Sequence, residues 1–176
     1  MSDEQAAQKQ NRGPAAAADN RRALIRAARE LFAEQGFSVP FSTVARRAGV
    51  GQASLYRHFS DKSALGIAVF DENLQSLEGL ELSLHEFLEA IASQARVSAS
   101  LLEALVSTRS PAARELDVRL RALIRAILDR EQLGRSVSVD DVATAVSMVA
   151  FHTASSPAED AATRAIAIVE QGLLPR

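Results

Sequence analysis

Within the short span from Gln52 to His58 the chain carries an amide, a hydroxyl, a phenol, a guanidinium and an imidazole, on Gln52, Ser54, Tyr56, Arg57 and His58. Together they are donors and acceptors of the kind that reads base edges and holds phosphates. Leu55 and Phe59, four residues apart, give the span one apolar face, so the polar groups are expected on the more exposed faces of a short helix. Such a rod suits a DNA major groove.

A rod of that size needs a partner to hold it. Ser42 to Ala48 carries Val44, Ala45 and Ala48 at helical spacing, and Gly49 and Gly51 separate it from Gln52. Two short helices joined by a glycine turn make a helix-turn-helix. Any corner between two helices in a helical protein has an amphipathic second helix, so a purely structural corner is the alternative at this point. Upstream, Leu24, Ala28, Leu31 and Phe32 define the buried stripe of a helix that begins near Asp19 or Asn20, either of which can cap it, and ends at Gly36. Residues 1–18, rich in Ala, Gln, Ser and Gly, lack apolar periodicity and read as a disordered arm.

The detailed string AxxAGVxxxxLYxHFxxKxxL is formed here by Ala45, Ala48, Gly49, Val50, Leu55, Tyr56, His58, Phe59, Lys62 and Leu65. It resembles the DNA-binding domain of TetR-family (TetR/AcrR-like) transcriptional regulators. The segment from Arg21 to Phe37 is similar to that family's first helix running into its glycine stop. The resemblance implies an all-α protein, with a homeodomain-like three-helix DNA-binding domain over 19–65 and a helical effector-binding and dimerisation domain over 66–176. By position in the motif, Gln52, Ala53 and Ser54 meet base edges. Tyr56, His58 and Lys62 hold phosphates, with Ser42, Thr43 and Arg57 as further candidates. The chain departs from the family at Val39 and Pro40, where a Ser or Thr cap is usual, so the phosphate contact that such a cap makes is not carried over by the resemblance.

Composition narrows the alternatives. The 176 residues are 47% hydrophobic, ample for a buried core, and no signal peptide or membrane span is legible, so a cytoplasmic bacterial protein is expected. There is no cysteine, which removes disulfides and thiolate metal sites, and His58, His85 and His152 lie too far apart for a ligand spacing. No catalytic group, metal or cofactor is assigned, and the chain reads as a non-enzyme. The formal charge of −2 hides an asymmetry: residues 1–65 hold ten Lys/Arg against six Asp/Glu, and residues 66–176 ten against sixteen. Local positive charge at one end is what phosphate attraction needs.

Beyond residue 65 the pattern is helical throughout. A fourth helix is expected from Asp61 to about Leu77. Ser83 with Glu86 signs a capping box for the next, Pro111 opens a long helix stopped by Gly134, Ser138 with Asp141 starts another, and Pro157 opens the last. A polar stretch from Arg96 to Ser100 predicts a bend before Leu101. The last two helices are rich in small and branched apolar residues around their circumference, so each needs more than one neighbour. In TetR-like proteins the same pair from a second subunit supplies it, the alternative being that both helices finish the core of the single chain, and Val142, Val146, Val149, Ala161, Ala165 and Ile168 are the candidates for that homodimer face. The resemblance also implies an effector pocket. Its walls would be drawn from Phe70, Phe87, Ile91, Leu102 and Leu105, and from Leu120, Ile124, Met148 and Phe151, with a small apolar effector as the occupant.

The resulting expectation is a homodimeric repressor, bound through two recognition helices to a palindromic double-stranded DNA operator and released by a small molecule. Two rivals stand beside it: a regulator of the same fold controlled by a protein partner or by its own abundance, and a small-molecule-binding protein or enzyme whose helix-turn-helix is only a corner.

Overall fold

A computed structural model describes residues 13–95, 111–133, 136–156 and 158–173. They form eight helices, with no strand among the described residues: α1 (Gly13–Gln35), α2 (Phe41–Ala48), α3 (Gln52–His58), α4 (Lys62–Leu77), α5 (Leu84–Ser93), α6 (Pro111–Arg130), α7 (Val139–Ser155) and α8 (Ala161–Leu173). The predicted bend before Leu101 lies outside these residues.

Local chemistry accounts for most of the boundaries. Asp61 caps α4, its carboxylate accepting from the Ala64 amide at 2.8 Å. Ser83 and Glu86 cap α5 reciprocally, as Ser138 and Asp141 cap α7. These bonds hold the Glu86 and Asp141 carboxyls below their ordinary range, the Ser83 backbone amide acting most strongly on Glu86 and the Ser138 hydroxyl on Asp141.

Three boundaries differ from the sequence expectation. Helix α1 starts at Gly13 rather than near Asp19, because Ala15 to Ala18 are strong helix formers that need neither a cap nor an apolar stripe. Asp19 is an interior residue of α1, paired with Arg22 one turn on. Helix α6 ends at Arg130, short of Gly134: Gln132 takes the left-handed conformation (φ 58°), and the Leu133 amide closes on the Leu128 carbonyl at 2.9 Å. Helix α8 begins at Ala161, after the Ala161 amide has turned onto the Ala158 carbonyl at 3.2 Å.

Helix α1 packs on α2, α3 and α4; α4 also meets α6, and α5, α7 and α8 pack on one another. A single apolar cluster runs from Leu24, Phe32, Val44 and Leu55 through Leu65 to Phe87 and Val149. Charged pairs stitch its rim. Arg29 of α1 meets Glu72 of α4 at 2.8 Å, and Arg119 of α6 meets both Asp71 and Glu78 of α4. Those two carboxylates, Glu78 foremost, raise the Arg119 pKa further, and Arg119 in turn holds Glu78 below its ordinary range.

Candidate nucleic-acid interface

The turn between α2 and α3 is fixed by the backbone. Gly49 sits at φ 67°, ψ 25°, and this lets the Val50 amide reach the Ala45 carbonyl at 3.0 Å while the Gly49 amide takes that of Arg46. A residue with a Cβ would be strained in this conformation. Helix α2 starts after Pro40 with no side-chain cap, and α3 starts after Gly51 with none either, so packing must hold both. Val44 and Leu55 are fully buried and Phe59 nearly so, which clamps α3 against α1 and α2.

That clamp decides which side chains of α3 are available. Gln52, Ala53, Tyr56 and Arg57 are exposed, at positions i, i+1, i+4 and i+5, and form one contiguous stripe. Ser54 does not join it. Its side chain is buried, and its hydroxyl has no hydrogen-bond partner, because it faces the packed side next to Leu55. The expectation that Ser54 meets base edges is corrected on that ground.

The phosphate candidates divide in the same way. Ser42 is exposed at the start of α2, whereas Thr43 is half-buried. His58 is half-buried and lines a groove of about 470 Å³ with Arg21, Asp71 and Arg119, at the junction of α1, α4 and α6. Lys62 is engaged inside the protein: its ammonium donates to the Val39 carbonyl at 3.1 Å and lies 4.9 Å from the centre of the Phe37 ring.

Other contacts here were not legible from spacing. Arg46 is exposed in the last turn of α2. Arg47 is tied to Glu34 at 3.1 Å and to Glu30 at 3.4 Å, which raises its pKa and lowers that of Glu34. Arg21 lies over the Phe59 ring at 5.4 Å. Phe41, the first residue of α2, meets Tyr56 edge-on, with ring centres 5.3 Å apart and planes at 85°.

The residues proposed for an effector pocket are mostly core. Phe70, Phe87, Ile91 and Leu120 surround a gap of about 10 Å³, Ile124 is fully buried, and Leu102 and Leu105 lie outside the described residues. Met148 and Phe151 do not line an interior, being 58% and 47% exposed. A larger space of about 900 Å³ opens between α1, α4, α5 and α7, and its lining is mixed: Arg29, Glu72, Asn73 and Thr153 contribute polar groups, and Ala33 and Ala92 apolar surface.

The residues proposed for a subunit interface divide too. Val142, Val146, Val149, Ala161 and Ala165 are buried within the single chain, because α7 and α8 turn these stripes toward each other and toward α5 and α6. Only Ile168 of the six is exposed, at 65%, and Met148 and Phe151 on α7 are apolar and exposed as it is.

Comparison with known proteins follows the same geometry. The family described as bacterial regulatory proteins, tetR family, matches residues 24–69, the stretch that builds α3 and the packing beneath it. An uncharacterized HTH-type transcriptional regulator of Haemophilus influenzae is 50% identical over 54 residues, which are 30% of this chain. The match spans 26% of that relative's own length.

The fold extends further. A TetR transcription regulatory protein from Mycobacterium vanbaalenii superposes with a TM-score of 0.59 at 27% identity, covering 90% of this chain and 97% of the other. A TetR transcriptional regulator from Rhodococcus sp. RHA1 gives 0.58 at 19% identity, over 88% and 95% of the two chains, and shares the fold. The chain thus carries a helix-turn-helix matched to the TetR family of bacterial regulatory proteins over residues 24–69, and along nearly all its length its architecture is similar to that of TetR regulators.

Proposed function

We propose that the chain is a homodimeric repressor that binds a palindromic operator through α3. The observation that carries this reading is the exposed stripe of Gln52, Ala53, Tyr56 and Arg57, held rigidly by Leu55 and Phe59 beneath it. Gln52 has the paired donor and acceptor that suit adenine, and the Ala53 methyl suits that of thymine. Tyr56, Arg57 and Ser42 supply phosphate contacts, supplemented by Arg46. His58, Thr43 and Lys62 would act more from behind the contact surface than on it.

Two reading helices must lie roughly 34–36 Å apart to enter successive major grooves, and this requires a second copy of the chain. The apolar surface left by Met148, Phe151 and Ile168 on α7 and α8 supports that partnership.

Release by an effector requires a space whose shape differs between the bound and free states. The groove at Arg29 and Glu72 joins α1 to α4 and exceeds the lower bound of about 300 Å³ usual for ligand sites. An effector there would combine apolar surface, facing Ala33 and Ala92, with polar groups for Arg29 and Glu72. The close packing around Phe70 and Phe87 favours the second reading, regulation without an effector.

Selection of duplex fragments from the source genome by the purified chain, followed by anisotropy titration at fixed salt, tests the DNA-binding reading. Enrichment of fragments with inverted repeats supports it, and uniform weak retention of all fragments opposes it.

A further inference from the structure

Tyr56 has the most exposed aromatic ring of the described residues, at 59%, yet it belongs to a seven-residue helix with no side-chain cap. A ring so exposed has few neighbours to select its rotamer, and freezing it on binding costs conformational freedom. One described ring touches it. Phe41, half-buried at the start of α2, presents a perpendicular face-to-edge contact at 5.3 Å.

Phe41 is itself well placed to be rigid. Pro40 before it has the extended conformation (φ −60°, ψ 137°), the first α2 turn closes through the Thr43 amide onto the Pro40 carbonyl at 2.9 Å, and Phe41 packs against the apolar cluster. The contact therefore couples the first turn of the supporting helix to the outer face of the reading helix.

We propose that Phe41 is a positioning residue for DNA binding, holding the Tyr56 phenol in the orientation that reaches the nucleic acid. This rests on the reading of α3 as the DNA-contacting helix. Phe41 touches no nucleic acid; it acts by ordering Tyr56 before the encounter, so its removal lowers affinity without altering the number of phosphate contacts.

The composition provides a clean probe, because Tyr56 is the only tyrosine and there is no tryptophan. The near-ultraviolet circular dichroism of the tyrosine band therefore reports this one ring. In the Phe41→Leu chain, folded by far-ultraviolet signal, that band should weaken markedly. Affinity for a genomic duplex selected by the wild-type chain should fall about three- to tenfold, the range of one lost aromatic contact, with an unchanged salt slope. Tyr56→Ala should lose at least as much, and Phe41→Leu should add little in the Tyr56→Ala background.

An unchanged tyrosine band together with unchanged affinity in Phe41→Leu overturns the proposal. If Phe41→Leu does not fold, the wild-type chain still decides: nuclear Overhauser contacts between the Tyr56 and Phe41 rings support the proposal, and their absence overturns it. Failure of the DNA-contact reading looks different. There Tyr56→Ala leaves affinity unchanged while the Phe41→Leu effect on the tyrosine band persists.

Discussion

The Lys62 ammonium, at the start of α4, donates to the carbonyl of Val39 at 3.1 Å across the loop that joins α1 to α2. With the Phe37 ring 4.9 Å from the same nitrogen, one cation closes the α1–α2 loop onto the helix that leads into the rest of the chain. Lys62→Met keeps the stem and removes both contacts. Urea unfolding should show a loss of about 1–2 kcal/mol, the scale of a charged hydrogen bond with a partly buried cation–π contact. The salt slope of DNA binding should stay nearly constant; a fall of about one unit would mark Lys62 as a direct phosphate contact instead.

Gly49 holds the turn by conformation alone. Beyond its chain neighbours no atom lies within 4 Å of where its Cβ would be, so any penalty for Gly49→Ala comes from the backbone at φ 67°. The variant should lose about 1–2 kcal/mol in urea unfolding with an unchanged m-value, and Gly49→Asn should lose less. Equal stability of the alanine variant would mean that the turn relaxes freely.

Ser54 gives a prediction of the opposite sign. Its buried hydroxyl lacks a partner, so Ser54→Ala removes an unsatisfied group and should leave stability unchanged or raise it by up to about 1 kcal/mol. Base preference in a fragment selection should not move. A changed preferred base in the selected half-sites would restore Ser54 to the contact surface.

His85 of α5 lies 2.9 Å from Glu170 of α8 and 3.4 Å from Glu89. The hydrogen bond to Glu170, then the charge of that carboxylate, raises the histidine pKa above its ordinary value of 6.5. A raised folded pKa stabilises the protonated form, so the contribution is fully present below about pH 6.5 and fades as pH rises through the folded value. The pair is exposed and screened, and His85→Gln should cost about 0.5 kcal/mol or less at pH 5.5 and nothing near pH 9. Thermal unfolding of both chains across that range measures it, and a gap that widens with rising pH would contradict it.

These residues also show what the sequence made legible. The glycine turn at Gly49 and the reciprocal caps at Ser83 and Ser138 are short-range devices, written within a few consecutive residues, and the structure contains them as read. Alanine runs carry no apolar contrast, so the start of α1 at Gly13 left no mark. Ser54 neighbours Leu55 on a two-turn helix, where a rotation of a few tens of degrees decides whether a small side chain faces in or out. Helix α7 is apolar on several faces, and only its packing against α5, α6 and α8 buries Val142 and Val149 while leaving Met148 and Phe151 outside. Contacts such as His85 with Glu170 join distant residues that no spacing rule connects.

The central claim is that the outer stripe of α3 meets duplex DNA. Anisotropy titration of a genomic duplex selected by the chain, comparing wild type with Arg57→Ala at one fixed low salt concentration, tests it most directly. The claim predicts a loss of about tenfold, near the weaker end of the range for a specific base or phosphate contact. Identical binding curves, or a wild-type chain that retains no fragment of the genome, would contradict it.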